Sequence, residues 1–160
     1  MLLDDFFSEV TFLGSVIFWL VVSGILWIAG RRREAVLLIL AVIIGGVIVS
    51  SLKIWFPRER PFVLIQSVHL LALETGSAFP SGHVERAFAA ATILGISNRK
   101  TRSILLLNGI IVALSRIYIG VHWPTDVIFG AILGFGVGLL TILIGDIVIK
   151  RIPFLYVKPD

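Results

Sequence analysis

Two histidines, two arginines, a lysine and an aspartate stand at spacings that can grip and break a phosphate ester. His122 and Asp126 are four residues apart, with Pro124 between them. Proline suits the first turn of a helix, so this spacing predicts a helix start from which the Asp126 carboxylate reaches back to the His122 imidazole. A carboxylate on one ring nitrogen fixes the tautomer and leaves the lone pair of the other free to attack. Arg116 lies inside the apolar stretch from Ser103 to Gly120, where an unpaired guanidinium is costly and calls for an anion. Lys53 and Arg60-Pro61 add two more cations; arginine grips two phosphate oxygens at once, whereas lysine acts as a point charge. Pro80-Ser81-Gly82-His83 reads as a turn that opens a helix, whose Ser81 and Gly82 amides and dipole favour an anion. His83 could protonate a leaving oxygen. Together these groups fit phosphoryl transfer, in which positioning and charge stabilisation do most of the catalysis.

Each piece has a plainer alternative. Lys53 could be a lysine snorkelling from a helix end, and Pro80-Ser81-Gly82 could be merely a turn. Asp126 with two histidines could bind zinc, but no three Asp, Glu or His residues stand at ligand-like spacing, so no metal and no cofactor are expected.

The elements that must position these residues are apolar helices. Hydrophobic residues make up 58% of the 160 and charged ones only 15%, the balance of a membrane protein. Ala35 to Leu52 and Val127 to Gly145 carry no charge, and at 18 and 19 residues each approaches the roughly 20 needed to cross the hydrocarbon. Val10 to Gly30 makes a third span. Ser81 to Ser97 and Ser103 to Gly120 pass as spans if their charges face a protein interior or a polar cavity. The expectation is an all-α, polytopic membrane bundle of about five transmembrane helices forming one domain over residues 1–160. Leu2, Leu3, Phe6, Phe7 and Val10 recur at helical spacing and predict a short interfacial helix before the first span. A removable signal peptide is not expected, because Asp4, Asp5 and Glu9 replace the usual positive leader. Cysteine is absent, so neither a disulfide nor a thiolate site exists.

With five spans, Arg31, Arg32, Arg33, Arg99, Lys100, Arg102, Lys150, Arg151 and Lys158 fall on one face, and Lys53, Arg58, Arg60, Arg86 and Arg116 on the other. Nine against five marks the first face as cytoplasmic and the second, where the chemistry-bearing residues gather, as extracytoplasmic. The net charge of +4 then follows from topology and requires no nucleic-acid partner.

The chain resembles the type 2 phosphatidic acid phosphatases, which share their signature with vanadium haloperoxidases and glucose-6-phosphatase. The resemblance rests on Lys53 to Pro61, Pro80 to His83 and Ser115 to Asp126, eleven specified residues in order and at the family's spacing. It implies that His122 is the nucleophile, Asp126 its orienting partner and His83 the general acid. Lys53, Arg60, Ser81, Gly82 and Arg116 would bind the phosphate, and no metal would take part. The implied activity is removal of phosphate from a lipid phosphate or diphosphate, such as a polyprenyl diphosphate, phosphatidate or phosphatidylglycerophosphate, through a phosphohistidine. Transfer to an alcohol instead of water is an alternative, as is an anion transporter, which would have no need of the His122 and Asp126 pair. Expected partners are the lipid substrate and membrane lipids; oligomeric state stays open.

The sequence departs from the family in three places. Members often have six spans, and Phe62 to Leu73 is short for a sixth. After His83 the family places small or apolar residues, whereas this chain has Glu85 and Arg86, expected to pair with each other or with the site rim. His69 and Glu74, in the connecting loop, are expected to be solvated or lid residues. Asp146 and Lys150 form an expected pair at the cytoplasmic end, and Gly130, Gly134 and Gly138 a small-residue face for helix contact.

Overall fold

A computed structural model describes residues 2–68 and 70–151, without the side chains of 146 and 148–151. His69, the Asp146 and Lys150 pair, and Lys158 lie outside what it describes. The described residues form seven α-helices and one 3-10 turn, and no strand.

The N-terminal apolar stretch does not run as one straight span. Helix α1 (Leu2–Val10) and a 3-10 turn (Thr11–Gly14) meet α2 (Val16–Ile28) at 56°. Ser15 makes the break: its backbone is extended, and its hydroxyl accepts from the Phe18 amide to cap α2. The other elements are α3 (Arg32–Trp55), α4 (Pro61–Leu64), α5 (Gly82–Leu94), α6 (Arg99–Tyr118) and α7 (Pro124–Arg151). Helices α3, α6 and the Pro124–Gly145 part of α7 are long and apolar enough to cross a membrane, and the bent N-terminal pair makes a fourth candidate. The segment from Phe62 to Leu73 contributes only the single turn of α4 among its described residues.

Helix α5 differs from the predicted span. At 13 residues it is too short to cross alone, yet it is the centre of the bundle. Val84, Ala87, Ala89, Ala90, Ala91 and Ile93 are buried, because small side chains let α3, α6 and α7 close around it. The glycine face of α7 is what brings α7 in: a Cβ at Gly130 would stand 2.7 Å from the Ser81 carbonyl oxygen, and one at Gly134 would collide with the Glu85 carbonyl oxygen. The outer faces of the long helices carry exposed Ile43, Val47, Ile132 and Leu143, as a lipid-facing surface requires.

Charge is polarised along this axis. Arg32 and Lys53 stand about 32 Å apart along α3 at the helical rise. Arg31, paired with Glu34, and Arg32, over the Trp27 ring at 5.6 Å, mark the end of the bundle from which α3 starts.

Candidate active site

Five helix ends meet opposite that basic end. Lys53 sits in the last turn of α3 and Arg60 caps α4. Ser81 caps α5, which begins with Gly82 and His83, while Ser115 and Arg116 end α6. The chain then turns at Gly120, whose φ of 80° favours glycine, and places His122 before Pro124 opens α7 with Asp126 in its first turn. The His122 amide donates to the Arg116 carbonyl oxygen at 3.2 Å, so the histidine is tied to the end of α6. His83 and His122 line one cavity of about 580 Å³ together with Lys53, Arg60, Glu74 and Gly82.

His122 is 2% exposed, with Nδ1 3.7 Å from Oδ2 of Asp126. That is an ion-pair distance, longer than a hydrogen bond, and Nδ1 has no hydrogen-bond partner among the described residues. The predicted hydrogen bond is therefore open here, because Asp126 is engaged elsewhere. Its Oδ2 accepts from the Trp123 amide at 2.9 Å and its Oδ1 from Nη1 of Arg58 at 2.7 Å. Arg58 also donates to the Thr125 hydroxyl and lies over the Trp123 ring at 5.5 Å. From sequence alone Arg58 reads only as a charge, and its place two residues before Arg60 is the available signal.

Ser81 also departs from expectation. Its amide donates to the Asp126 carbonyl oxygen at 3.1 Å, so it is not free for an anion, whereas its buried hydroxyl has no partner among the described residues. Lys53 donates to the Ser77 carbonyl oxygen. Arg60, 4% exposed, donates to the carbonyl oxygens of Gly76, Val121 and Thr75. All but the bond to Val121 tie the 75–77 loop to Lys53 and Arg60 beside the cavity.

Glu74, expected from its loop position to be a solvated or lid residue, is the residue that binds the cations. Its carboxylate pairs with Nη1 of Arg60 at 2.9 Å and with Nη2 of Arg116, and its Oε2 lies 4.0 Å from Nε2 of His122. Arg116 also donates from Nη1 to the Thr11 hydroxyl at 2.9 Å, and Glu74 is the anionic partner its depth demanded. Partial burial would raise the Glu74 carboxyl, but Arg116, by charge and hydrogen bond, and then Arg60 outweigh it and bring it to about 2. His122 is pushed below the ordinary histidine value, first by burial and then by Arg116 and Arg60, against the pull of Asp126 and Glu74. The imidazole is thus neutral, with a lone pair available.

Glu85 and Arg86 do not pair with each other, and of the two only Arg86 reaches the site. The Glu85 carboxylate, fully buried, packs against Gly45 of α3 and has no hydrogen-bond partner among the described residues. Arg86 donates from Nε to the Gly14 carbonyl oxygen at 3.0 Å and lines the cavity. Among the described residues no group of three His, Cys, Asp or Glu side chains is placed to hold a metal ion.

Fold and site together define an all-helical membrane protein in which helix ends gather cations and two histidines around an anion. The family model of the PAP2 superfamily matches residues 34–148, and the chain belongs to that superfamily. Among its relatives, an undecaprenyl-diphosphatase of Sulfolobus acidocaldarius is 33% identical over 129 residues, covering 79% of this chain and 63% of the relative. The undecaprenyl-diphosphatase BcrC of Bacillus subtilis is 29% identical over 149 residues, covering 91% and 76%. The chain thus spans less than two thirds of the Sulfolobus relative. The crystal structure of Aquifex aeolicus LpxE superimposes with a TM-score of 0.83 at 36% identity, covering 89% of this chain and 86% of that one. A PAP2-type phosphatidylglycerolphosphate phosphatase from Bacillus subtilis gives 0.77 at 27% identity, covering 93% and 79%.

Proposed function

We propose that the chain is an integral-membrane phosphohydrolase that removes phosphate from a lipid phosphate or diphosphate through a phosphohistidine on His122. The observation that carries this reading is the Glu74 carboxylate, an anion held by Arg60 and Arg116 beside the Nε2 of a neutral histidine. A phosphate that displaces Glu74 takes over its two arginines, with Lys53, the Gly82 amide and the Ser81 hydroxyl within the same site. Nε2 of His122 then attacks phosphorus, the bond to the leaving oxygen breaks, and His83 protonates that oxygen. Water, giving its proton to His83, attacks the phosphohistidine and releases inorganic phosphate. Asp126, steadied by Arg58, stabilises the positive imidazole as it forms.

The lipid nature of the substrate is supported by the setting. Val16, Gly46 and Val49 form an apolar wall to the cavity, where a tail can lie while its phosphate reaches the cations. The relatives named as acting on undecaprenyl diphosphate and phosphatidylglycerolphosphate agree with that class. We further infer five crossings, with α5 as a short central one shielded from lipid by its neighbours. The basic end would then be cytoplasmic and the site extracytoplasmic.

Phosphate release from a panel of lipid phosphates in detergent, with chelator present, tests the reaction. Release that is lost in His122→Ala, with an acid-labile phosphoryl adduct in the native chain, is the expected result. Activity that survives the substitution, or stops with chelator, would overturn the mechanism. Labelling of single cysteines placed beside Arg33 and Glu59 with an impermeant reagent on intact cells tests orientation; only the second should react.

A further inference from the structure

Arg86 is the cation that the proposed reaction leaves without a task, and it stands where a second phosphate would lie. It follows His83 by three residues, on the same face of α5 and about 4.5 Å further along the axis. Its guanidinium folds back toward the start of the helix, with Nη1 3.2 Å from the point a Cβ of Gly82 would occupy. One donor, Nε, serves the Gly14 carbonyl oxygen, its hydrogen-bond partner among the described residues. A structural bond of that kind needs only one donor, whereas a guanidinium brought into a bundle beside other cations is costly unless an anion joins it. Neither nearby carboxylate serves: Glu74 is held by Arg60 and Arg116, and Glu85 packs against α3 with both oxygens unbonded. Lys53, Arg60 and Arg86 therefore line a cavity whose one lining carboxylate, Glu74, also pairs with Arg116, more positive charge than a single phosphate requires.

Resting on the phosphohydrolase reading above, we propose that Arg86 binds the inner phosphate of a lipid diphosphate and makes the site selective for diphosphates over monophosphates. The groups fall in the order the reaction needs. His122 attacks the terminal phosphorus, the bond from that phosphorus to the bridging oxygen breaks, and His83 protonates the bridging oxygen. The departing group is the lipid monophosphate, whose phosphate meets the folded-back Arg86 guanidinium beside the first turn of α5. Its chain continues along Val16, Gly46 and Val49. A monophosphate ester placed for the same attack presents an alkyl oxygen and methylene groups to Arg86 instead, leaving a desolvated cation unpaired. Selectivity thus comes from a favourable contact with one substrate and a penalty against the other.

The experiment compares kcat/KM for a prenyl diphosphate and the corresponding prenyl monophosphate in native protein, Arg86→Gln and Arg86→Lys. The native chain should prefer the diphosphate, and Arg86→Gln should lower the diphosphate-to-monophosphate ratio by about tenfold or more, mainly through KM, as loss of a charged hydrogen bond would. Arg86→Lys, which keeps the charge without the fork, should fall between. Inhibition by an alkyl methylenediphosphonate against an alkyl phosphonate provides a readout independent of turnover, and their ratio of potencies should collapse in the same variant. A ratio unchanged in Arg86→Gln, or both substrates falling in parallel, overturns the assignment while leaving the phosphohydrolase reading intact. Absence of His122-dependent release from either substrate in the native chain removes both.

Discussion

Oε2 of Glu74 lies 4.0 Å from Nε2 of His122, and the same carboxylate is gripped by Arg60 and Arg116. On the proposed reaction, this internal anion would compete with the phosphate for Arg60 and Arg116. Replacing Glu74 by glutamine removes the competing charge while keeping the shape. Glu74→Gln should lower KM for the lipid phosphate and the inhibition constant of inorganic phosphate, each roughly three- to tenfold, the scale of a charged hydrogen bond. Steady-state kinetics in detergent measure both; an unchanged or raised inhibition constant would show that Glu74 does not occupy the phosphate position.

The same pairing makes the fold acid-sensitive. Glu74 titrates near 2 in the folded chain against 4.5 for an unperturbed glutamate, so the folded state binds its proton more weakly than the unfolded state. The contribution is complete above about 4.5 and is lost as pH falls toward 2. Thermal melting of the native chain should decline across that window, and the decline should be shallower in Glu74→Gln.

His122 is held below the ordinary 6.5, first by burial and then by Arg116 and Arg60. Its neutral form persists as pH drops through 6.5, so the acid limb of kcat/KM should lie below that value. Arg58 draws Asp126 away from the imidazole through the 2.7 Å bond to Oδ1. Arg58→Ala frees the carboxylate to attract the imidazolium, and the acid limb should move upward while kcat/KM at neutral pH falls about tenfold. A loss of rate with no movement of the limb would make Arg58 a structural residue only.

Close approach of α7 to α5 sets the first turn of α5, where Ser81, Gly82 and His83 stand. A side chain at Gly134 would strike the Glu85 carbonyl oxygen and force the two helices apart. Gly134→Val should destabilise the protein by about 1–3 kcal/mol. It should also lower activity more than the equivalent change at Gly136, whose Cβ would meet open space. Melting curves and phosphate release on both variants make the comparison.

Much of the architecture was legible because membrane helices announce themselves by composition over a local window. The charge-free stretch from Ala35 to Leu52 lies within α3, and Val127 to Gly145 within α7. Helix α5 was harder to read, since its length and its charges at Glu85 and Arg86 suit a helix surrounded by protein instead of lipid. The break at Ser15 inside an apolar run was likewise invisible to hydropathy, which registers polarity and not the cap that ends a helix.

The sequence by itself determined which motif residues are candidates for the chemistry, because motif spacing and the four-residue step from His122 to Asp126 are local quantities that survive without a fold. What only the tertiary structure decided is how the charges are shared among them. Glu74 finds Arg116 across 42 residues, and Arg58 finds Asp126 across 68. Such pairs depend on which helix ends converge and on where a connecting loop is strapped, and no periodicity encodes that. Electrostatic partnership inside a low-dielectric bundle is a property of distance in space, so it appeared only once the ends of α3, α5, α6 and α7 were brought together.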